Sequence, residues 1–411
     1  MNKVMTIISA LAIGLLMAAT SVANTNAVPE PFQGYDPDSG FRIKYEDVDA
    51  ILKNMVIDVG RSSREKAPAT RAQTGTRMKT KVKRETATEG NRFFFEAFRE
   101  NEEFKTALHN VRLSLESVPD QVSLADFNRN EQLAYWLNLY NITLLDELVK
   151  IYPERDLKKE ITGKKSILKP KILNIAGIPL SLDDIQYTIL AGNYGNDPLI
   201  MYGLYQGIIG GPNIRDSAYT GENVRRYLQD NAEEFINSNR GTQAEDDVFE
   251  VSSLYDRNSQ YFPDFDEDLK QHLNRYIEGY ERTALQSAST FKPKINDWTI
   301  TDVYGTMQDI GGSFASSKAA MLNSVVTLQQ GPDGGASEQI SASFSEASSM
   351  VQSKTPDAFR FDPQVLEHLV ELKTKEQEAN MQKDSSVTVE EMGTVPTEPE
   401  DGGDSEGSEQ D

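Results

Sequence analysis

The chain has 411 residues, with 42 Lys and Arg against 64 Asp and Glu, for a formal net charge of −22. So acidic a surface repels a phosphate backbone, which excludes nucleic acid as a partner in the absence of a large local basic patch. There is no cysteine, and the only histidines, His109, His272 and His368, stand at unrelated spacings. Disulfides, thiolate metal sites, cysteine nucleophiles and helical histidine metal motifs are thereby excluded, and no cofactor or metal site is expected.

Met1-Asn2-Lys3 precede an apolar run from Val4 to Ala19, and Ser21-Val22-Ala23 follow it. A charged start, a short apolar stretch and small residues at −3 and −1 predict a secretory signal over 1–23, cleaved after Ala23. The run is shorter than the ~20 apolar residues a membrane span needs. The mature chain is therefore expected to be periplasmic or secreted, with no membrane span. Residues 24–90 read as an N-terminal arm, with a helix over Val48 to Val59, followed by a basic loop. In that loop Arg61 to Arg84 carries nine basic residues opposed only by Glu65. No aromatic residue interleaves with the charges to stack bases, so the loop suits the acidic body or tail as well as any polyanion.

From Asn91 the spacing of Phe93, Phe94, Phe95, Phe98, Phe104, Leu108, Val111 and Leu115 predicts one or two helices. A second stripe, Leu133, Trp136, Leu137, Tyr140, Leu144, Leu148 and Ile151, predicts a central helix over Asn130 to Tyr152, apolar over more than half its circumference. Asn138 and Asn141 sit inside it. A buried amide without partners costs on the order of 1–3 kcal/mol, so each must either staple a loop to the helix or face a ligand cleft.

Ile172 to Leu180 reads as extended with a turn at Gly177, and Ser181 then caps a helix through Ile185, Ile189 and Leu190. Asp183 and Asp184 fall in its first turn, where the dipole favours acids. The glycine-rich stretch Gln206 to Pro212 has neither the G-K-[ST] ending of a phosphate loop nor the G-x-G-x-x-G order, so it is no nucleotide site. Helices over Glu222 to Asn237 and Leu269 to Leu285 flank a strand at Phe249 to Leu254. Beyond lie a Ser/Gly-rich appendage with a final helix, 304–383, and a tail, 384–411. The tail holds ten acids and no Lys or Arg, a composition that stays disordered.

The order of motifs resembles the domain of unknown function 547 family. Ala134-Tyr135-Trp136-Leu137-Asn138-Leu139-Tyr140-Asn141 is similar to the family's A-F-W-I-N-L-Y-N signature. Ser181-Leu182-Asp183-Asp184-Ile185 resembles S-L-N-D-I, and Asp197-Pro198 with Leu204 and Pro212 resembles the D-P segment and the proline after it. Ser252 to Tyr255, Asp264-Phe265 and Asp297-Trp298 resemble its later elements, so the likeness spans about 91–303. The family pattern has a glutamate and a histidine where this chain has Gln186 and Tyr187, and cysteines where it has Gln206 and Gly211. A cysteine and histidine so placed imply papain-like thiol chemistry. Gln206 is no nucleophile and a phenol with a pKa near 10 is a poor base, so this member is expected to have lost that reaction.

The expected fold is α+β, a mainly helical body with a small antiparallel sheet built from segments near Lys171, Phe249 and Ile295. The expected function is non-catalytic binding of a small ligand or an envelope protein, with no catalytic residue. Asn138, Asn141, Gln186, Tyr187 and Gln206 converge on one cleft in this reading. A hydrolase using carboxylates or tyrosine is the alternative chemistry, although no adjacent acid pair on a helix faces itself. An envelope or extracellular scaffold acting through the tail and appendage is the other alternative.

Overall fold

A computed structural model describes residues 27–302 other than 63, 65–85, 87, 88, 100, 196, 246 and 247. The expected signal at 1–23, the appendage at 304–383, the tail at 384–411 and most of the basic loop at 61–84 lie outside the described residues. Helix α1 (Glu46–Met55) places Glu46, Asp47 and Asp49 in its first turn and buries Val48, Ile51, Leu52 and Met55. It stops before the expected end because Val56–Ile57 form strand β1, antiparallel to β2 (Arg92–Phe93). Helix α2 (Glu102–Glu116) is capped by the Asn101 side chain and lies against α3 (Arg129–Ile151).

Helix α3 forms the centre of the body. The Asn128 side chain accepts hydrogen bonds from the Asn130 and Glu131 amides at its start, and Pro153 follows its end. Almost every residue from Glu131 to Val149 is buried. The two acidic and amide residues at its buried entrance are fully used. Glu131 accepts from the Ile43 and Gly221 amides at 3.0 Å each, and Gln132 donates to the Leu124 and Gly34 carbonyls at 2.6 and 2.9 Å. These bonds tie the N-terminal arm and the loop before the next long helix to one end of α3.

After α3 come α4 (Lys158–Thr162) and a hairpin of β3 (Leu173–Ile175) and β4 (Ile178–Leu180). Ala176 and Gly177 turn it, both at positive φ, as a two-residue hairpin of this hand requires. Ser181 and Asp184 form a capping box for α5, a helical run over 182–194. Its middle, Ile185–Leu190, is π-helical, a rare widening of the helix that recurs at functional sites.

Helix α6 (Val224–Ile236) leads into β5 (Thr242–Glu245) and β6 (Val248–Ser252), which pair antiparallel. Then follow α7 (Ser253–Arg257), α8 (Phe265–Asn274), α9 (Gly279–Ser287) and β7 (Phe291–Ile295). The architecture is α+β with a helical body, as expected, but the sheet differs in detail. The β3–β4 hairpin stands apart from the others, and β7 pairs parallel to β6 in a three-stranded sheet ordered β5-β6-β7. The helical crossover α7 to α9 returns the chain to the start of β6, which a tight turn cannot do. Pro293 is tolerated in β7 because that strand lies at the edge. The single helix expected over Leu269 to Leu285 is two, broken at Gly279, whose φ is +68°.

The segment 297–302 then threads back through the body. The Leu157 amide donates to the Trp298 carbonyl at 2.9 Å, and the Ile209 and Gly210 amides donate to the Thr299 and Asp297 carbonyls at 2.8 Å. A Cβ at Gly210 would lie 2.5 Å from the Asp297 nitrogen, so this crossing requires glycine. The glycine-rich stretch therefore serves backbone packing: the Ile209, Gly210 and Gly211 amides are all taken by carbonyls.

A buried ion cluster holds the other side of that loop. Arg240 pairs with Glu234 and donates through Nη1 to the Gly211 carbonyl at 2.8 Å. Glu89 accepts from the Asn239 and Arg240 amides at 3.0 and 3.2 Å, and burial pushes its carboxyl above the ordinary range. At the described start of the basic loop, Arg64 donates to the Ile236 carbonyl at 2.8 Å and lies 3.6 Å from Glu281. Among the described residues, no helix is long and apolar enough to cross a membrane.

Candidate functional site

A cavity of about 280 Å³ opens between α3, α4, α5, α7 and the loop that begins at Gln206. Tyr140 comes from α3, Ile161 and Thr162 from α4, and Leu168 from the connection to the hairpin. Asp183, Gln186 and Tyr187 come from α5, and Arg257 closes α7. Residues 183, 186 and 187 are three and four apart, the spacing that puts side chains on one helix face, and the π-helical turn carries the last two.

The amides of the cavity are held by specific partners. Gln186 donates to Asn258 Oδ1 at 2.9 Å, and Asn258 donates in turn to the Leu254 carbonyl. Gln206 Oε1 accepts from Arg257 Nη2 at 2.8 Å, while the Tyr187 hydroxyl donates to the Arg257 carbonyl at 3.4 Å. Gln206 and Tyr187 thus share the cavity without touching each other through a hydrogen bond; Arg257 joins them. Gln206 is 6% exposed and Tyr187 44%, so the glutamine belongs to the wall and the tyrosine to the mouth.

Two charges in the wall have little company. Arg257 donates through Nε to the Ser253 carbonyl at 3.3 Å and stacks over Trp298, 5.0 Å from the ring centroid. Its Nη1 has no hydrogen-bond partner among the described residues, and no carboxylate there lies within ion-pair distance of it. Burial lowers its pKa, and its guanidinium stays charged. The Asp183 carboxyl likewise accepts no hydrogen bond among the described residues, and burial raises its pKa against the pull of exposed Lys169. Its neighbour Asp184 is the opposite case. Although burial pushes it up, bonds from the Ser181 hydroxyl and amide at 2.6 and 2.7 Å carry its pKa below the ordinary value.

Of the five residues expected to meet, the cavity gathers Gln186, Tyr187 and Gln206. Asn138 and Asn141 are a correction: they sit on another face of α3 and staple loops. Asn138 donates to the Tyr219 carbonyl at 2.7 Å and accepts from the Tyr219 amide at 3.0 Å. Asn141 donates to the Gly203 carbonyl at 3.0 Å and accepts from the Tyr205 amide at 2.9 Å. The void beside them holds about 10 Å³, room for no more than a water. Each amide mimics a strand partner for a backbone segment that has none.

None of the residues lining the cavity is serine, cysteine or histidine, so no hydroxyl or thiol faces an imidazole. His272 packs instead in the core of α8, with Tyr202 2.8 Å from its Nε2, and burial pulls its pKa down to about 3. His109 lies 3.1 Å from Asp146 between α2 and α3. Tyr140 and Tyr187 are both held above the ordinary phenol value, chiefly by burial, which makes each a still weaker acid. Gly211 lies behind the wall, where a Cβ would stand 3.3 Å from Gln206 Cβ. Cysteines at 206 and 211 would be immediate neighbours, their Cβ atoms slightly closer than the ~3.5–4.5 Å of an unstrained disulfide. Among the described residues no three His, Asp or Glu side chains gather to hold a metal ion.

The sequence pattern does not single out three of the lining residues. Tyr140 reads as one more member of an apolar stripe, and Asp183 as a helix-dipole acid. Arg257 stands two residues past the Ser252 to Tyr255 motif, at the end of a short polar helix that gives it no pattern of its own.

Residues 124–236 match the model of a family described as protein of unknown function, DUF547, and this segment carries α3, α5, α6 and the Gln206 loop. The broader likeness over 91–303 is not required by that match. Neither the search of curated proteins nor that of solved structures finds a match.

Proposed function

We propose that this chain is an exported DUF547 protein that binds a small ligand in the cavity between α3, α5 and α7 and performs no chemistry on it. The observation that carries this reading is the pairing of a formed cavity with a wall that holds no serine, cysteine or histidine, so that no hydroxyl or thiol is activated by an imidazole. Polar groups that converge there, Gln186, Gln206, Tyr187, Arg257 and Asp183, orient and discriminate; they do not attack. A thermal-shift screen of the full chain against a metabolite library is expected to find stabilising compounds whose effect disappears in Gln206→Ala. A screen in which no compound stabilises the wild type sinks the reading.

One feature favours a second reading, a hydrolase working through a carboxyl. Asp183 is a part-buried acid close to a phenol, its pKa raised by burial, a setting in which a carboxyl can take part in proton transfer. Peptide, ester and glycoside panels would then show turnover that Asp183→Asn abolishes, and blank panels remove it. Export rests on the pattern from Met1 to Ala23, and N-terminal sequencing of the protein recovered from the producing cell checks it: Asn24 is the expected first residue. An envelope protein partner acting through 304–411 is the remaining alternative, tested by a pull-down that depends on those residues.

A further inference from the structure

Resting on the cavity being a binding site, we infer that its ligand is a small zwitterion of the amino-acid type, its carboxylate on Arg257 and its ammonium on Asp183. Unpaired charge in a protein wall is costly, and part-buried charges are ordinarily matched by a partner. Several buried charges elsewhere are so matched, although part-buried Arg215 rests on Asn231 and the Tyr227 ring with no ion pair among the described residues. Arg240 has Glu234, Arg112 has Asp146 at 3.2 Å, and Glu131 has two amides. What sets this cavity apart is that a cation and an anion line it together, neither with an ion-pair partner among the described residues. Arg257 offers Nη1 with no acceptor among the described residues, and Asp183 offers both oxygens with no donor. Lys169 and Asp256 act on the two only at a distance.

The two charges also fail to neutralise each other. Both phenols, Tyr140 and Tyr187, feel Asp183 and Arg257 together, so both charges are close to the same two rings of one cavity wall. A ligand held in that cavity can meet both a guanidinium and a carboxylate. Gln206, held by Arg257 through its oxygen, keeps its NH2 for a second bond at the anionic end. Ile161, Leu168 and the Tyr140 ring supply an apolar wall for a side chain. A volume of about 280 Å³ falls at the lower limit of the ~300–1,000 Å³ typical for drug-sized ligands, which suits a single metabolite. A simple anion would leave Asp183 unpaired beside it, and a simple cation would leave Arg257 so.

Calorimetric titration of the full chain separates these cases. Each of the twenty free L-amino acids is titrated, and for the tightest binder the N-acetyl and C-terminal amide derivatives follow. Loss of at least tenfold in affinity for each derivative is expected, since each removes one charge. Arg257→Met and Asp183→Asn are each expected to lose at least tenfold for the parent. Asp183→Asn should change nothing for the N-acetyl derivative, a readout that a merely misfolded variant would not give. Equal affinity for the parent and either derivative overturns the inference, as does the absence of binding by all twenty. If none of the twenty binds but the metabolite screen yields another compound lost in Gln206→Ala, the zwitterion fails while the binding site stands. A blank screen removes both.

Discussion

Two faces of helix α3 carry the same kind of polar chemistry to opposite ends. On one face Asn138 and Asn141 use donor and acceptor on the backbone of the 203–205 and 219 segments, and the void beside them admits at most a water. On the other, Tyr140 looks into a cavity where Gln206, Arg257 and Asp183 keep hydrogen-bonding capacity that no described residue meets. The same contrast holds for two arginines that each stack on a ring. Arg240, over Phe235, is paired with Glu234 and with the Gly211 carbonyl; Arg257, over Trp298, is bound to an amide and a carbonyl alone. Polar groups tied to the backbone and to opposite charges build the fold, and those with spare capacity at an open cavity are placed to meet something that is not protein.

That contrast breaks if stability does not follow it. Arg240→Met strands Glu89 and Glu234 among buried groups and is expected to cost about 3–5 kcal/mol by denaturant unfolding; an unchanged midpoint would show that the cluster is not buried and paired as described. Asn138→Ala leaves the Tyr219 amide and carbonyl unpaired, for an expected loss of about 2–3 kcal/mol in the same assay. A loss under half a kilocalorie would place Asn138 among the groups free to meet a ligand.

Acid sharpens the contrast through His272, a buried group whose pKa lies near 3 when folded and about 6.5 when unfolded. The unfolded chain binds the extra proton between those values, so stability falls as pH drops below about 6.5. Between pH 7 and pH 5 the loss from this residue is on the order of 2 kcal/mol. Unfolding of His272→Gln should show a correspondingly flatter pH profile over that interval, and an unchanged profile assigns the acid sensitivity elsewhere. Closer to the cavity, Gln206→Cys with Gly211→Cys should form a crosslink detectable as the loss of two free thiols on mild oxidation. It is expected to add about 1 kcal/mol once the lost Gln206 bond is subtracted from the roughly 2 kcal/mol of so short a loop. Smallest of all, Arg257→Met is expected to move stability by less than about 1 kcal/mol, because no partner charge is left behind.

Much of the fold is legible in the sequence where local physics decides it. The 3.6 spacing from Leu133 to Ile151 marks α3, Ser181 with Asp184 marks the start of α5, and Gly177 marks the hairpin. Where partners distant in sequence decide, the pattern is silent. Nothing near Phe291 says that β7 runs parallel to β6, because the helical crossover that permits it lies in between. The cavity divides in the same way. Gln186, Tyr187 and Gln206 follow from motif positions, but Asn138 and Asn141 have the composition of site residues and the geometry of staples. Arg257 carries no local signal: its importance lies in what fails to surround it.

Basal and ligand-induced melting of three proteins, the wild type, Asn138→Ala and Arg257→Met, measured with one stabilising compound, brings the two faces into a single comparison. Asn138→Ala should melt lower than the wild type and keep the full ligand-induced rise, whereas Arg257→Met should melt as the wild type does and lose that rise. The reverse assignment, with the rise lost in Asn138→Ala and kept in Arg257→Met, would contradict the division between a structural face and a binding face.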